Sequence, residues 1–92
     1  MPDLYFVAFA IQDHIRDKIA IKHGILSEEI DEAFYNSTMR IRRTRASLYK
    51  LYSQTDAGRY VVLIAAYRGS GRWQIATARD MSEAERREFQ HR

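Results

Sequence analysis

Tyr60 to Tyr67 (Y-V-V-L-I-A-A-Y) is apolar on both alternate faces. A half-exposed strand alternates apolar with polar side chains, so this run predicts a strand covered on both sides, and hence a central one. Asp56, Ala57 and Gly58 before it are turn residues, because glycine tolerates positive φ and aspartate can bond its own backbone. Gly69-Ser70-Gly71 after it reverses the chain. A second strand, Arg72 to Arg79, follows with Trp73, Ile75 and Thr77 expected on one face. Ser82 and Glu85 then form a capping box, which starts a helix running through Arg86, Arg87 and Phe89.

The first half reads as one strand and two helices. Leu4 to Ala10 is a short apolar, aromatic run and predicts a strand. Ile11, Ile15 and Ile19 recur at helical spacing among charged residues, the pattern of an amphipathic helix. Lys22 and His23 fall in its last turn, where cations are favoured, and Gly24 suits the position after it. Ser27 is the expected cap of a second helix, whose acidic first turns precede a stripe of Ile30, Ala33 and Phe34. Asn36-Ser37 should end it. Met39 to Arg45 holds four arginines in seven residues and fits an exposed strand, where charge discourages edge-to-edge pairing. Ser47 to Gln54 reads as a further strand. The resulting order, β-α-α-β-β-β-β-α, predicts one α+β domain over residues 1–92, with helices set against an antiparallel sheet.

Ninety-two residues allow a single modest core, and 46% hydrophobic content argues against disorder. Without cysteine the chain has no disulfide, thiolate metal site or thiol nucleophile. The longest apolar run is far below the roughly 20 residues of a membrane helix. Asp3, with no basic segment before the apolar run, predicts no signal peptide. A soluble cytoplasmic protein, without membrane contact, is the expectation. Charge is divided unevenly: residues 1–36 carry three basic against seven acidic residues, net −4, and residues 37–92 carry twelve against five, net +7. Such asymmetry points to a polyanion on one side and a different partner on the other. A merely solvated basic face is the plainer alternative.

Several chemistries lack their residues. His14 and His23 are nine apart on one helix, so they lie roughly on opposite sides of it, and no histidine–carboxylate cluster has metal-ligand spacing. Gly69-Ser70-Gly71 is too short for a phosphate loop and leads into a strand. No cofactor motif is present. What remains is a set of cations, Arg40, Arg42, Arg43, Arg45, Lys50, Arg59, Arg68, Arg72 and Arg79. They are interleaved with Tyr49, Tyr52, Tyr60, Tyr67 and Trp73. Arginine binds phosphate as a rigid fork and aromatics stack on unpaired bases, which suits RNA better than a small anion. Metal-free RNA cleavage needs a base for the 2′-hydroxyl proton, cations for charge developing on phosphorus, and an acid for the leaving oxygen. His23 and Lys22 are candidates for proton transfer or phosphate contact, and Arg59 and Arg79 for charge stabilisation. Helix-end capping explains the pair at 22–23 equally well, and Asp80 either orients an arginine or simply precedes a helix cap.

Three segments resemble one family. Lys22-His23-Gly24-Ile25 with Glu28 to Phe34, Thr55-Asp56-Ala57-Gly58-Arg59-Tyr60-Val61-Val62, and Ala76 to Met81 with Glu85 to Phe89 are similar, in order and spacing, to segments of BrnT-like toxins. Together they span about half of the chain; residues 37–54 match nothing, and Phe9-Ala10-Ile11-Gln12 stands where many members carry an aromatic-Trp-Asp segment. The resemblance implies a RelE-like α+β fold, metal-independent mRNA cleavage without a cofactor, and an antitoxin partner that is a small DNA-binding protein. It implies functional roles for Lys22, His23, Arg59 and Arg79, with Glu85 and Arg86 in positioning roles. RNA contacts are expected from Arg40, Arg42, Arg43, Lys50, Arg68, Arg72 and Tyr60. Two readings stay open: a ribonuclease toxin, and a non-catalytic module of the same fold that binds protein or RNA.

Overall fold

The strand at Tyr60–Tyr67 lies at the middle of a five-stranded sheet in the computed structural model, which describes residues 4–91. The elements run β1 (Ala8–Ile11), α1 (Asp13–His23), α2 (Ser27–Phe34), β2 (Arg40–Arg43), β3 (Leu48–Gln54), β4 (Tyr60–Tyr67), β5 (Arg72–Asp80) and α3 (Glu83–Gln90), the order expected. In space the strands lie β1-β5-β4-β3-β2. The four later strands form the antiparallel sheet anticipated. β1 joins it in parallel, from Ala8 opposite Arg72 to Ile11 opposite Ile75, so the whole sheet is mixed. A short hairpin forces antiparallel neighbours, but β1 and β5 are joined by no turn that dictates direction.

β1 is later and shorter than the apolar run suggested. The N–H groups of Val7 and Ala8 both donate to the Gly71 carbonyl, at 2.8 and 3.2 Å, and the ladder begins only there. The preceding residues cover the core instead. Phe6 stacks on Trp73 with centroids 4.7 Å apart, and Trp73 Nε1 donates to the Tyr5 carbonyl at 2.9 Å. Ile11 therefore ends a strand rather than opening α1. That helix closes as expected on Gly24, at φ 65°, whose N–H donates to the Ala20 carbonyl at 3.0 Å. α2 is capped one residue earlier than Ser27. Leu26 is the cap, its N–H donating to Glu29 Oε1 at 2.9 Å, so the glutamate rather than the serine hydroxyl closes that end.

Ile19, Ile25, Ile30, Ala33 and Phe34 pack on one face of the sheet, against Leu51, Val61, Leu63, Ala65, Trp73, Ile75 and Ala78. All of these are buried, and each large side chain among them stabilises the fold by about 2 kcal/mol. The buried Ser53 hydroxyl on the same face donates to the Ala33 carbonyl at 2.7 Å, which ties α2 to β3.

A bulge decides which way β5 faces. Ile64 pairs with Thr77 and Ala65 with Ile75, leaving Ala76 as the extra residue. Thr77 thus faces away from Trp73 and Ile75, contrary to the simple alternation, and Ala78 takes the core position. Residue 79 is re-aimed with it, to the face on which α3 packs; bulges commonly re-aim a side chain in this way. α3 begins with the anticipated box: Glu85 N–H donates to Ser82 Oγ at 3.2 Å and Ser82 N–H to Glu85 Oε1 at 2.8 Å.

Candidate functional site

Arg59 leaves the Thr55–Arg59 turn at the mouth of β4, held there by Thr55 N–H to its own carbonyl (3.0 Å) and its N–H to Thr55 Oγ1 (3.1 Å). A guanidinium carries five N–H donors, and here all are engaged. Nε and Nη2 donate to Asp80 Oδ1 and Oδ2 at 2.8 and 3.1 Å. Nη1 donates to the Gly24 carbonyl at 2.9 Å and Glu29 Oε1 at 3.3 Å, and Nη2 to the His23 carbonyl at 2.9 Å. One side chain thereby closes the negative end of α1, joins the start of α2 and clamps the end of β5. The bonds from Arg59 hold the Asp80 carboxyl below the usual carboxylate range, with the charges of Arg59 and His23 adding and burial opposing.

His23 is half-buried and Lys22 exposed. With Ile15, Lys18, Ala76 and Thr77 they line a cleft of about 150 Å³. The cleft forms because β1 stops opposite Ile75, and the bulged part of β5 beyond that point runs along α1. It is small beside ordinary ligand pockets of roughly 300–1,000 Å³, and it suits a phosphate better than a whole cofactor.

Arg79 and Asp80, adjacent on β5, go to opposite faces by strand alternation. Arg79 turns to α3, where Nη1 and Nη2 donate to the two Glu85 oxygens at 2.7 and 2.9 Å and Nη1 also reaches the Asp80 carbonyl at 3.1 Å. That bidentate pair, helped by Ser82 and opposed by burial, holds the Glu85 carboxyl down to about 2. Arg40 of β2, Tyr52 of β3 and Val62 of β4 lie in one cross-strand row with Arg79, and Arg42, Lys50, Ile64 and Thr77 form the next row. Over this face Arg86 lies 4.5 Å above the Tyr60 ring, Phe89 meets that ring edge-on at 6.0 Å, and Gln90 donates to the Tyr60 hydroxyl at 2.9 Å.

The anticipated residues thus form two groups joined at residues 79 and 80: Lys22, His23, Arg59 and Asp80 at the end of α1, and Arg40, Arg42, Lys50, Tyr60, Arg79, Glu85 and Arg86 on the α3 face. Arg43 pairs with Tyr49 and so takes the opposite face from Arg42. Arg68 and Arg72 bracket the β4–β5 hairpin, about 20 Å along the strand from Val62. Tyr49, Tyr67 and Trp73 form a ring cluster against the core. Glu29 and Phe89 lie in the segments that carry the resemblance without a role assigned to them, and Tyr52 is one of the five aromatics interleaved with the cations. The packing of β2, β3 and α3 is what brings Tyr52 and Phe89 into the site.

Among the described residues, no three or more His, Asp or Glu side chains are grouped so as to hold a metal ion. None of the helices there is long and apolar enough to cross a membrane. No protein-family model matches the chain, and no curated protein matches its sequence. Among solved structures it is similar to the crystal structure of the Brucella abortus ribonuclease toxin BrnT, with 14% identity and a TM-score of 0.68. The likeness covers 84% of this chain and 99% of that one, so most of this chain shares the fold of that structure.

Proposed function

We propose that the chain is a metal-independent endoribonuclease, the toxin of a type II toxin–antitoxin pair, acting on RNA in the cytoplasm and neutralised by a small DNA-binding antitoxin. The observation that carries this reading is the reach of Arg59. Its bonds draw His23, Gly24, Glu29 and Asp80 into one corner, so segments distant in sequence that resemble BrnT-like toxins meet in space. The shared fold with a ribonuclease toxin supports it.

In this reading His23 takes the proton of a 2′-hydroxyl and the 2′-oxygen attacks the adjacent phosphorus. The bond from phosphorus to the 5′-oxygen breaks, that oxygen takes a proton from solvent, and the products are a 2′,3′-cyclic phosphate and a 5′-hydroxyl. Lys22, beside His23, offsets charge developing on the phosphate, and Arg79 reaches the same phosphate from the α3 face, past the edge of β5 that β1 does not cover beyond Ile75. Arg59 is a positioning residue, because its donors are committed to the end of α1 and to Asp80. Glu85 positions Arg79, and Arg86 holds Tyr60. Arg40, Arg42 and Lys50 contact RNA on the α3 face, and Arg43, Arg68 and Arg72 extend the positive field that attracts it.

The test is incubation of the purified chain with single-stranded RNA in excess EDTA, followed by analysis of the RNA ends. Cleavage that persists in chelator, leaves cyclic phosphate and is lost in His23→Ala is expected; intact RNA beside a folded wild-type protein overturns the reading. One observation favours a second reading, a non-catalytic module: Arg59 and Arg79 both already hold carboxylates. Binding without cleavage in the same assay would select it.

A further inference from the structure

Two cations face one another across the β2–β3 pair. Arg42 and Lys50 are direct cross-strand partners on the α3 face, and neither forms an ion pair or side-chain hydrogen bond with a described residue. Like charges placed so destabilise a sheet, and a small domain has little stability to spare. Beside them the half-buried Tyr52 follows Lys50 on the same face of β3. Together with Phe89 and the carboxylates of Glu85 and Glu88 on α3 these residues line a groove of about 280 Å³, in which the Glu85 charge is already taken up by Arg79. An anion between Arg42 and Lys50 would relieve the repulsion, and the adjoining ring offers a flat apolar surface.

We propose that this groove seats one nucleotide of single-stranded RNA, its phosphate on Arg42 and Lys50 and its base stacked on Tyr52. The choice of RNA as the polyanion rests on the ribonuclease reading. The strand must be single because a base offers its face only when unstacked, and a duplex would present phosphates alone. Stacking is sequence-tolerant, so the site grips RNA without selecting a base. Tyr52 stands in the same row as Arg79 with only Val62 between, about 10 Å away at two strand spacings. The nucleotide held there therefore neighbours the phosphate assigned to Arg79.

A short 2′-O-methyl RNA, which cannot be cut by 2′-oxygen attack, isolates binding from cleavage. Its affinity is measured by fluorescence anisotropy for wild type, Tyr52→Leu, Tyr52→Phe and Lys50→Met, each checked for folding by circular dichroism, while cleavage of ordinary RNA is followed separately. Tyr52→Leu is expected to weaken binding about 10-fold, Tyr52→Phe to restore it, and Lys50→Met to weaken it and lower the salt slope by about one. Wild-type affinity in both Tyr52→Leu and Lys50→Met overturns the groove, and the ribonuclease reading survives if ordinary RNA is still cut. Equal affinity for a duplex overturns the stacking assignment. Groove-dependent binding with no cleavage of ordinary RNA upholds the groove and removes the ribonuclease. A folded wild type that binds no RNA overturns both.

Discussion

Arg59 and Asp80 meet side-on at the end of the sheet, Nε to Oδ1 at 2.8 Å and Nη2 to Oδ2 at 3.1 Å, while the same guanidinium reaches α1 and α2. Lysine keeps the charge but has no planar fork and cannot span these acceptors. Arg59→Lys is therefore expected to destabilise the protein nearly as much as Arg59→Ala, by about 2 kcal/mol. The shift should show as a lower urea midpoint with an unchanged slope. Rescue of stability and cleavage by lysine would mean that Arg59 supplies charge alone.

Gly71 lies at φ 74°, and a Cβ added there would run into Val7 Cγ2 and press on Tyr5. Gly24 has a similar φ of 65° but open space around it. Both substitutions to alanine carry the left-handed backbone penalty of about 1 kcal/mol. Gly71→Ala must in addition push aside the segment that leads into β1. Thermal unfolding should place Gly71→Ala clearly below Gly24→Ala; equal midpoints would show that the segment yields freely.

What was legible in the sequence was local. Eight residues apolar on both faces, bounded by glycine turns, suit a covered strand, and Ser82 with Glu85, or Gly24 after a basic turn, name their own geometry. The direction of β1 was not legible, because its partner lies some sixty residues away with no turn between them to set it. The bulge was not legible either: Ala76, Thr77 and Ala78 are small enough to sit on either face, so the alternation around them is weak. For the site, the resemblance marked positions 22, 23, 59 and 79. That Arg59 has no donor left over, and that Arg79 and Asp80 divide between two faces, are properties of the packed chain. Tyr52 looked like any strand aromatic until β2 and α3 were placed beside it.

Acid should weaken this fold in a defined window. Bonds from Arg79 hold the folded-state pKa of Glu85 at about 2, below its ordinary 4.5. The folded state therefore takes up this proton less readily than the unfolded chain. The stabilisation is fully present above about pH 4.5 and is lost as pH falls through about 2. Asp80, lowered by Arg59, contributes with the same sign. Urea midpoints measured from pH 5 to pH 2 should fall more steeply for wild type than for Glu85→Gln. Parallel curves would place the acid sensitivity elsewhere.

Glu85→Gln also separates the two tasks of that glutamate. Glutamine can still accept the Ser82 N–H at the start of α3, so the helix begins as before while Arg79 loses its counter-charge. If Arg79 serves the phosphate in the transition state, the released guanidinium is at least as available to RNA as before. Glu85→Gln should then retain or exceed wild-type cleavage despite its lower stability. Arg79→Ala removes the cation itself and is expected to lower the rate by about 10²-fold or more. It also leaves the Glu85 carboxylate, only 19% exposed, without its partner, so its folding is checked by circular dichroism and the rate is compared at a temperature where both variants are folded. Equal loss of cleavage in the two variants would make the ion pair, rather than the free cation, the functional unit.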